Sequence, residues 1–147
     1  MIAIQFIVFG LPQSQGSIKS FVPKGSSKAV LTSDNSKLKP WRQDVGWLAK
    51  EAMNKAGMRL CERPGAIRLE AVFYFPRPKA QKKAIFKTTK PDQDKLLRAL
   101  CDALSGICYE DDAQVARSCV EKCFVNLSES PRTEVTVSVL DSTDYRR

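Results

Sequence analysis

Between Asp92 and Asp112 a basic chain places six carboxylates: Asp92, Asp94, Asp102, Glu110, Asp111 and Asp112. Three of them, Asp92, Asp94 and Asp112, fall at the ends of expected elements, where backbone bends can aim them at one point. Two chemistries fit. Carboxylate oxygens are hard donors, and Mg2+ takes one or two of them, keeps several waters and completes its shell with substrate phosphate. Alternatively, Asp92 and Asp94 mark the start of a helix, where free N–H groups and the helix dipole favour negative charge without any ion. Adjacent Asp111 and Asp112 favour a cation, because neighbouring carboxylates repel unless a positive group offsets them.

Asp94, Arg98 and Asp102 are spaced by four and share one helix face. They form either a surface charge ladder worth tenths of a kcal/mol or a place for Arg98 as the cation beside a metal. Asp102 lies about 12 Å along the axis from Asp94. That distance gives it a supporting or helix-packing role rather than a place on the same ion.

The rest of the composition narrows the chemistry. There is no histidine, so Ser–His–Asp and Cys–His catalysis are excluded, as is a nuclease with a histidine base. The five cysteines (Cys61, Cys101, Cys108, Cys119, Cys123) form no CxxC pair, and the zinc spacings are missing. An odd count without an export signal fits reduced thiols in a cytoplasmic protein, most of them small core residues. The longest apolar run, IAIQFIVFGL, is too short to cross a bilayer, so no membrane partner is expected, nor is a small-molecule cofactor.

A net charge of +8 points to an anionic partner. The excess sits in two windows. Residues 13–42 hold six Lys/Arg against Asp34 alone, and residues 77–90 hold six with no acid. Basic loops at 13–39 and 77–91 flanking an acid cluster suggest DNA, with Lys19, Lys24, Lys28, Arg77, Lys79, Lys82, Lys83, Lys87 and Lys90 as phosphate contacts. Phe86, within the second loop, could stack on a base or pack on its own domain.

These groups must be positioned by a single domain over residues 1–147. IAIQFIVF (2–9) is apolar on both faces and reads as a strand buried on both sides. Residues 13–39 read as a long loop with a short strand near Val30–Thr32. A helix follows Pro40, with Trp41, Val45, Leu48, Ala49, Ala52, Met53 and Ala56 inward and Gly57 past its end. AIRLEAVFYF alternates as a half-buried strand. LLRALCDAL is a second helix with Asp92 as N-cap and Leu96, Leu97, Leu100, Cys101 and Leu104 inward. AQVARSCVEKCFVNL and TEVTVSVL are strands, and 141–147 is a polar tail. The order β–loop–α–β–loop–α–β–β predicts an α+β fold: a mixed β-sheet with two principal helices packed on it.

KPDQDKLLRALCDALSGICYEDDAQV, residues 90–115, resembles the signature segment of the RusA family of Holliday junction resolvases, approximately (K/R)-P-D-x-D-N-L-x-K, D-A-L-x-G and D-D-x-Q-(V/I). GLPQSQGSIKSF and LTSDNSKLKPWRQDV resemble the family's basic N-terminal segment more weakly. The resemblance implies an endonuclease that binds four-way DNA junctions as a homodimer and cuts with Mg2+, or with Mn2+ in its place. It carries the essential acids onto Asp92, Asp94 and Asp112, with Asp111 as a further metal-ligand candidate. Two positions depart from the pattern: the family's Asn is Lys95 and its catalytic Lys is Arg98. Arginine keeps a positive charge for phosphate but does not readily release a proton. The competing readings are a non-catalytic branched-DNA-binding module and another metal-dependent nuclease. A PD-(D/E)xK site lacks its acid–x–Lys, since Glu121 adjoins Lys122 directly.

Overall fold

The computed structural model describes residues 2–16, 18–22, 24–28, 30–33, 35–141 and 143, with backbone alone over 18–21 and 30–33. The elements run β1 (Ala3–Phe9), β2 (Ile18–Phe21), β3 (Val30–Ser33), α1 (Leu38–Ala56), β4 (Ala66–Phe75), α2 (Gln93–Leu104), a 3-10 turn (Asp112–Gln114), β5 (Val115–Phe124) and β6 (Arg132–Leu140). Four strands form one sheet in the order β1-β6-β4-β5, while β2 and β3 pair separately as an antiparallel hairpin. β4 and β5 are parallel and the other two pairings antiparallel. A parallel pair needs a crossover, and here the segment containing α2 supplies it. The sheet is therefore mixed and the fold α+β, as expected.

Period-2 alternation sets the sheet's inner face. Ile4, Phe6 and Val8 of β1, Ile67, Leu69 and Phe73 of β4, and Val135 and Val137 of β6 are all buried. Trp41, Val45, Ala49 and Met53 of α1 and Leu96, Leu100 and Leu104 of α2 join the same core. Each fully buried large side chain of this set contributes roughly 1.5–3 kcal/mol. The two helices meet closely at Gly46, where a Cβ would stand 2.8 Å from Ile107 Cδ1. Past the end of α1, Gly57 takes φ 68° and its N–H returns to Asn54 and Met53 carbonyls, as the helix-end reading requires.

Three expectations change. β1 is an edge strand with one face in solvent, so Ile7 (43%) and Phe9 (68%) are exposed instead of buried. The 13–39 loop contains the β2–β3 hairpin, of which only the second strand was anticipated. The start of the long strand after α2 is a separate 3-10 turn, so β5 begins at Val115. Of the polar tail, only Asp141 and Thr143 lie among the described residues. Among the described residues no helix is long and apolar enough to cross a membrane. All five cysteines are free thiols, with Cys101, Cys108 and Cys123 buried.

Candidate active site

Helix α2 carries acids at both ends. Asp92 is its N-cap by position, with extended backbone (φ −68°, ψ 143°), yet its carboxylate accepts no capping hydrogen bond. It lies 3.8 Å from Lys95 Nζ, and both side chains are about half exposed. Lys90, Asp92 and Lys95 line a cleft of about 430 Å³ with Ser14 and Asn35. Asp94 is exposed in the first helical turn. Capping alone therefore does not account for Asp92.

Two side chains missed by sequence reasoning hold this helix start in place. Lys122 Nζ donates to the carbonyls of Thr89 (2.7 Å) and Pro91 (2.8 Å), and Gln93 Nε2 donates to Val120 O (2.8 Å). Both tie the Asp92 segment to β5. Lys122 was legible only as a charge on a strand; nothing in its spacing indicates the carbonyls it meets.

The second acid pair is built differently. Asp111 caps the 3-10 turn: its Oδ1 accepts from Ala113 N at 3.0 Å. Gln114, nearly buried, organises the turn. Its Oε1 accepts from Glu110 N (2.9 Å) and Asp111 N (3.0 Å), and its Nε2 donates to Cys61 O and Gly65 O (3.0 Å each). Gly65 has no substitute here, since a Cβ would come within 2.9 Å of the Glu62 carbonyl and closer still to Cys61 Sγ. Arg63 adds backbone and side-chain donors to Glu110, whose carboxyl is held below its usual range chiefly by that backbone hydrogen bond.

Asp111 is thus occupied as a cap, and Asp112 is exposed beside it. The carboxyls of Asp111 and Asp102 are near enough to act electrostatically on Asp112. The contact with Asp111 comes first in raising its proton affinity, followed by loss of solvation and the Asp102 charge. Asp111 moves the opposite way, lowered first by the Ala113 N–H and then by Asp112. Asp102, expected in a supporting or helix-packing role, acts electrostatically on Asp112 from the C-terminal end of α2.

Among the described residues no group of three or more Asp, Glu or Cys is gathered closely enough to hold a metal ion. The helix itself is the reason: eight residues from Asp94 to Asp102 rise about 12 Å, and Asp112 returns to the Asp102 end. Between the two ends, on the same face, Arg98 is exposed, and it forms no ion pair with Asp94 or Asp102.

The basic loops divide in use. Lys24, Lys28, Lys79, Lys82, Lys83 and Lys90 are exposed, while the side chain of Lys19 lies outside the described residues. Arg77 instead works inside the domain. It donates to the carbonyls of Val125, Gln81 and Ala84 and lies 5.6 Å from the Phe124 ring centre. Lys87 is drawn inward too, 5.3 Å from the Phe75 ring, with Nζ 2.8 Å from Thr89 Oγ1. Burial, and then Lys122, lower its proton affinity. Phe86 is 57% exposed, although its backbone bridges to Cys123 on the β5 edge. The second loop is thereby fastened to the sheet, presenting Lys79, Lys82, Lys83 and Phe86 outward.

The chain is similar to the uncharacterized protein YqaN of Bacillus subtilis (strain 168), 30% identical over 148 aligned residues spanning 93% of this chain and 96% of that one. The family model Endodeoxyribonuclease RusA matches residues 13–138, a span that includes α1, α2, both acid groups and both basic loops. The chain belongs to the RusA endodeoxyribonuclease family.

Proposed function

We propose that this protein is a divalent-metal-dependent endonuclease that resolves four-way DNA junctions in recombination and repair, acting in the cytoplasm as a homodimer. The observation that carries the proposal is the exposed face of α2. It bears Asp94, Arg98 and Asp102, with Asp92 uncapped at one end and Asp112 against Asp102 at the other. The donor set is carboxylate oxygen throughout, which suits Mg2+ or Mn2+. One or two carboxylates suffice for such an ion when water and phosphate complete the shell. The Asp111 side chain first, then burial and the Asp102 charge, raise the proton affinity of Asp112, and a divalent cation offsets such crowding of carboxylates.

Asp112 with Asp102, and Asp92 with Asp94, are the residues that would hold the ions; Asp111 remains the turn's cap. A bound divalent ion lowers the pKa of a coordinated water and stabilises developing charge on phosphate. The chain's own residues do the positioning. Lys122 and Gln93 fix the Asp92 segment, Gln114 fixes Asp112, and Arg98 meets the phosphate as a fixed positive charge that does not donate a proton. Lys79, Lys82 and Lys83 with Lys24, Lys28 and Lys90 hold neighbouring phosphates, making binding salt-dependent. Two copies related by a two-fold axis would present equivalent sites for paired nicks.

The test is cleavage of a synthetic mobile four-way junction against matched linear duplex, with Mg2+ or EDTA, for the wild type and Asp112→Asn. Symmetric nicks that require the metal and vanish in the variant, while junction binding persists, are the expected result. Tight binding without cutting in either Mg2+ or Mn2+ would leave a junction-binding module.

A further inference from the structure

A groove of about 670 Å³ runs between α1 and α2, and the acid site opens from its edge: Asp102 lines it, and the 3-10 turn that carries Asp112 lies against α2. Its α1 wall consists of Lys39, Arg42, Trp47 and Lys50, at helical spacing on one face. Trp47 is 73% exposed, an unusual position for the largest apolar side chain on a helix whose other tryptophan, Trp41, is buried. The floor is apolar, formed by Leu38, Ala103 and Ile107, with Ile107 packed directly on Gly46, where a Cβ would stand 2.8 Å from its Cδ1.

We infer that this groove receives an unstacked base and the flanking phosphates of one DNA strand beside the acid site, with Trp47 as the stacking platform and Lys39, Arg42 and Lys50 as the phosphate contacts. The inference rests on the junction-nuclease reading and adds a single-strand subsite to it. Three cations against one carboxylate give the groove the sign of a nucleic-acid track. An aromatic face set among cations is the pattern by which single strands are held without sequence preference. From Lys39 to Lys50 the wall extends roughly 16 Å, enough to follow several phosphates of one strand. A protein partner fits less well, because lysine is depleted from the centres of protein interfaces. A four-way junction supplies the ligand: bases at a branch point lose stacking partners more cheaply than bases within a continuous duplex.

The test is tryptophan emission of the full chain in EDTA, titrated separately with a four-way junction, an oligothymidylate strand and a linear duplex, with Trp47→Phe reporting Trp41 alone. Saturable quenching of the Trp47 component by junction and by oligothymidylate, weaker with duplex, is expected. Trp47→Ala should weaken junction binding by roughly 5- to 100-fold. Arg42→Gln with Lys50→Gln should reduce the salt slope of oligothymidylate binding by about 1.4. Trp47 emission that does not change on a junction shown by gel shift to be bound would overturn the inference while leaving the junction reading intact. So would a Trp47→Ala protein that keeps its junction affinity but sediments as a smaller species, which would make the face a contact between copies. Quenching by oligothymidylate without any junction binding would keep the groove and refute the junction reading.

Discussion

Replacing Gln114 with alanine removes four N–H···O hydrogen bonds at once, two accepted from the amides of Glu110 and Asp111 and two donated to the carbonyls of Cys61 and Gly65. At a net contribution of about 1 kcal/mol each, the ceiling is about 4 kcal/mol. Glu110 is exposed and Asp111 half-exposed, so their amides regain water, which leaves roughly 2–3 kcal/mol of destabilisation. In a domain of this size that lowers the melting temperature by roughly 4–12 °C. Urea denaturation should display a lower midpoint with an unchanged slope, since the exposed area does not change. The same loss frees the turn that aims Asp112, so junction cleavage should fall even at temperatures where the variant is fully folded. Asp112→Asn, on an exposed side chain, should leave the midpoint almost unmoved while abolishing cleavage. A Gln114→Ala protein within about 0.5 kcal/mol of the wild type, a shift no larger than that of an ordinary surface substitution, would refute the hub. So would cleavage at the wild-type rate.

Further tests separate structure from binding. Arg77→Ala should destabilise the fold by roughly 2–4 kcal/mol through its carbonyl contacts and the Phe124 ring, measured by urea midpoint. Lys82→Ala and Lys83→Ala should instead leave stability unchanged and each lower the salt slope of duplex binding by about 0.9. Thr133, fully buried with a side-chain oxygen that has no partner among the described residues, predicts that Thr133→Val raises stability by about 1 kcal/mol in the same assay. Burial pushes the Cys101 thiol up to about 11 and Cys108 up to about 12, against 9.0 when unfolded. Between those values the unfolded chain binds fewer protons than the native one. Stability is therefore fully present below pH 9 and falls as pH rises, with a limiting slope of about 1.4 kcal/mol per pH unit for each thiol. Cys108→Ala should flatten that slope, and an unchanged alkaline profile would contradict it.

Much of this is legible in the amino-acid sequence. Alternation in AIRLEAVFYF and TEVTVSVL gave β4 and β6 with their inward faces, because period 2 admits no other half-buried arrangement. The 3.6-residue stripe from Trp41 to Met53, ended by Gly57, gave α1, and the Asp92 start and leucine stripe gave α2. The edge position of β1 was not legible, because a strand apolar on both faces looks the same at the edge as at the centre. β2 was lost in a stretch without a sustained period.

At the site, the amino-acid sequence set the inventory. It fixed carboxylates, Arg98 and lysines as the available chemistry, excluded histidine, and set Asp94, Arg98 and Asp102 on one face through the i, i+4 rule. Which acids meet was decided by the tertiary structure alone. The path after α2 brings the turn carrying Asp112 back against that helix, and Gln114 holds it there by reaching across to residues 61–65. The same folding turns Arg77 and Lys87 inward onto carbonyls and rings, and lays the basic face of α1 beside α2 so that Trp47 borders a groove ending at an acid. Local spacing fixes which way a side chain leaves its own helix or strand. What it meets there depends on contacts between residues far apart in the chain, and no local pattern encodes those.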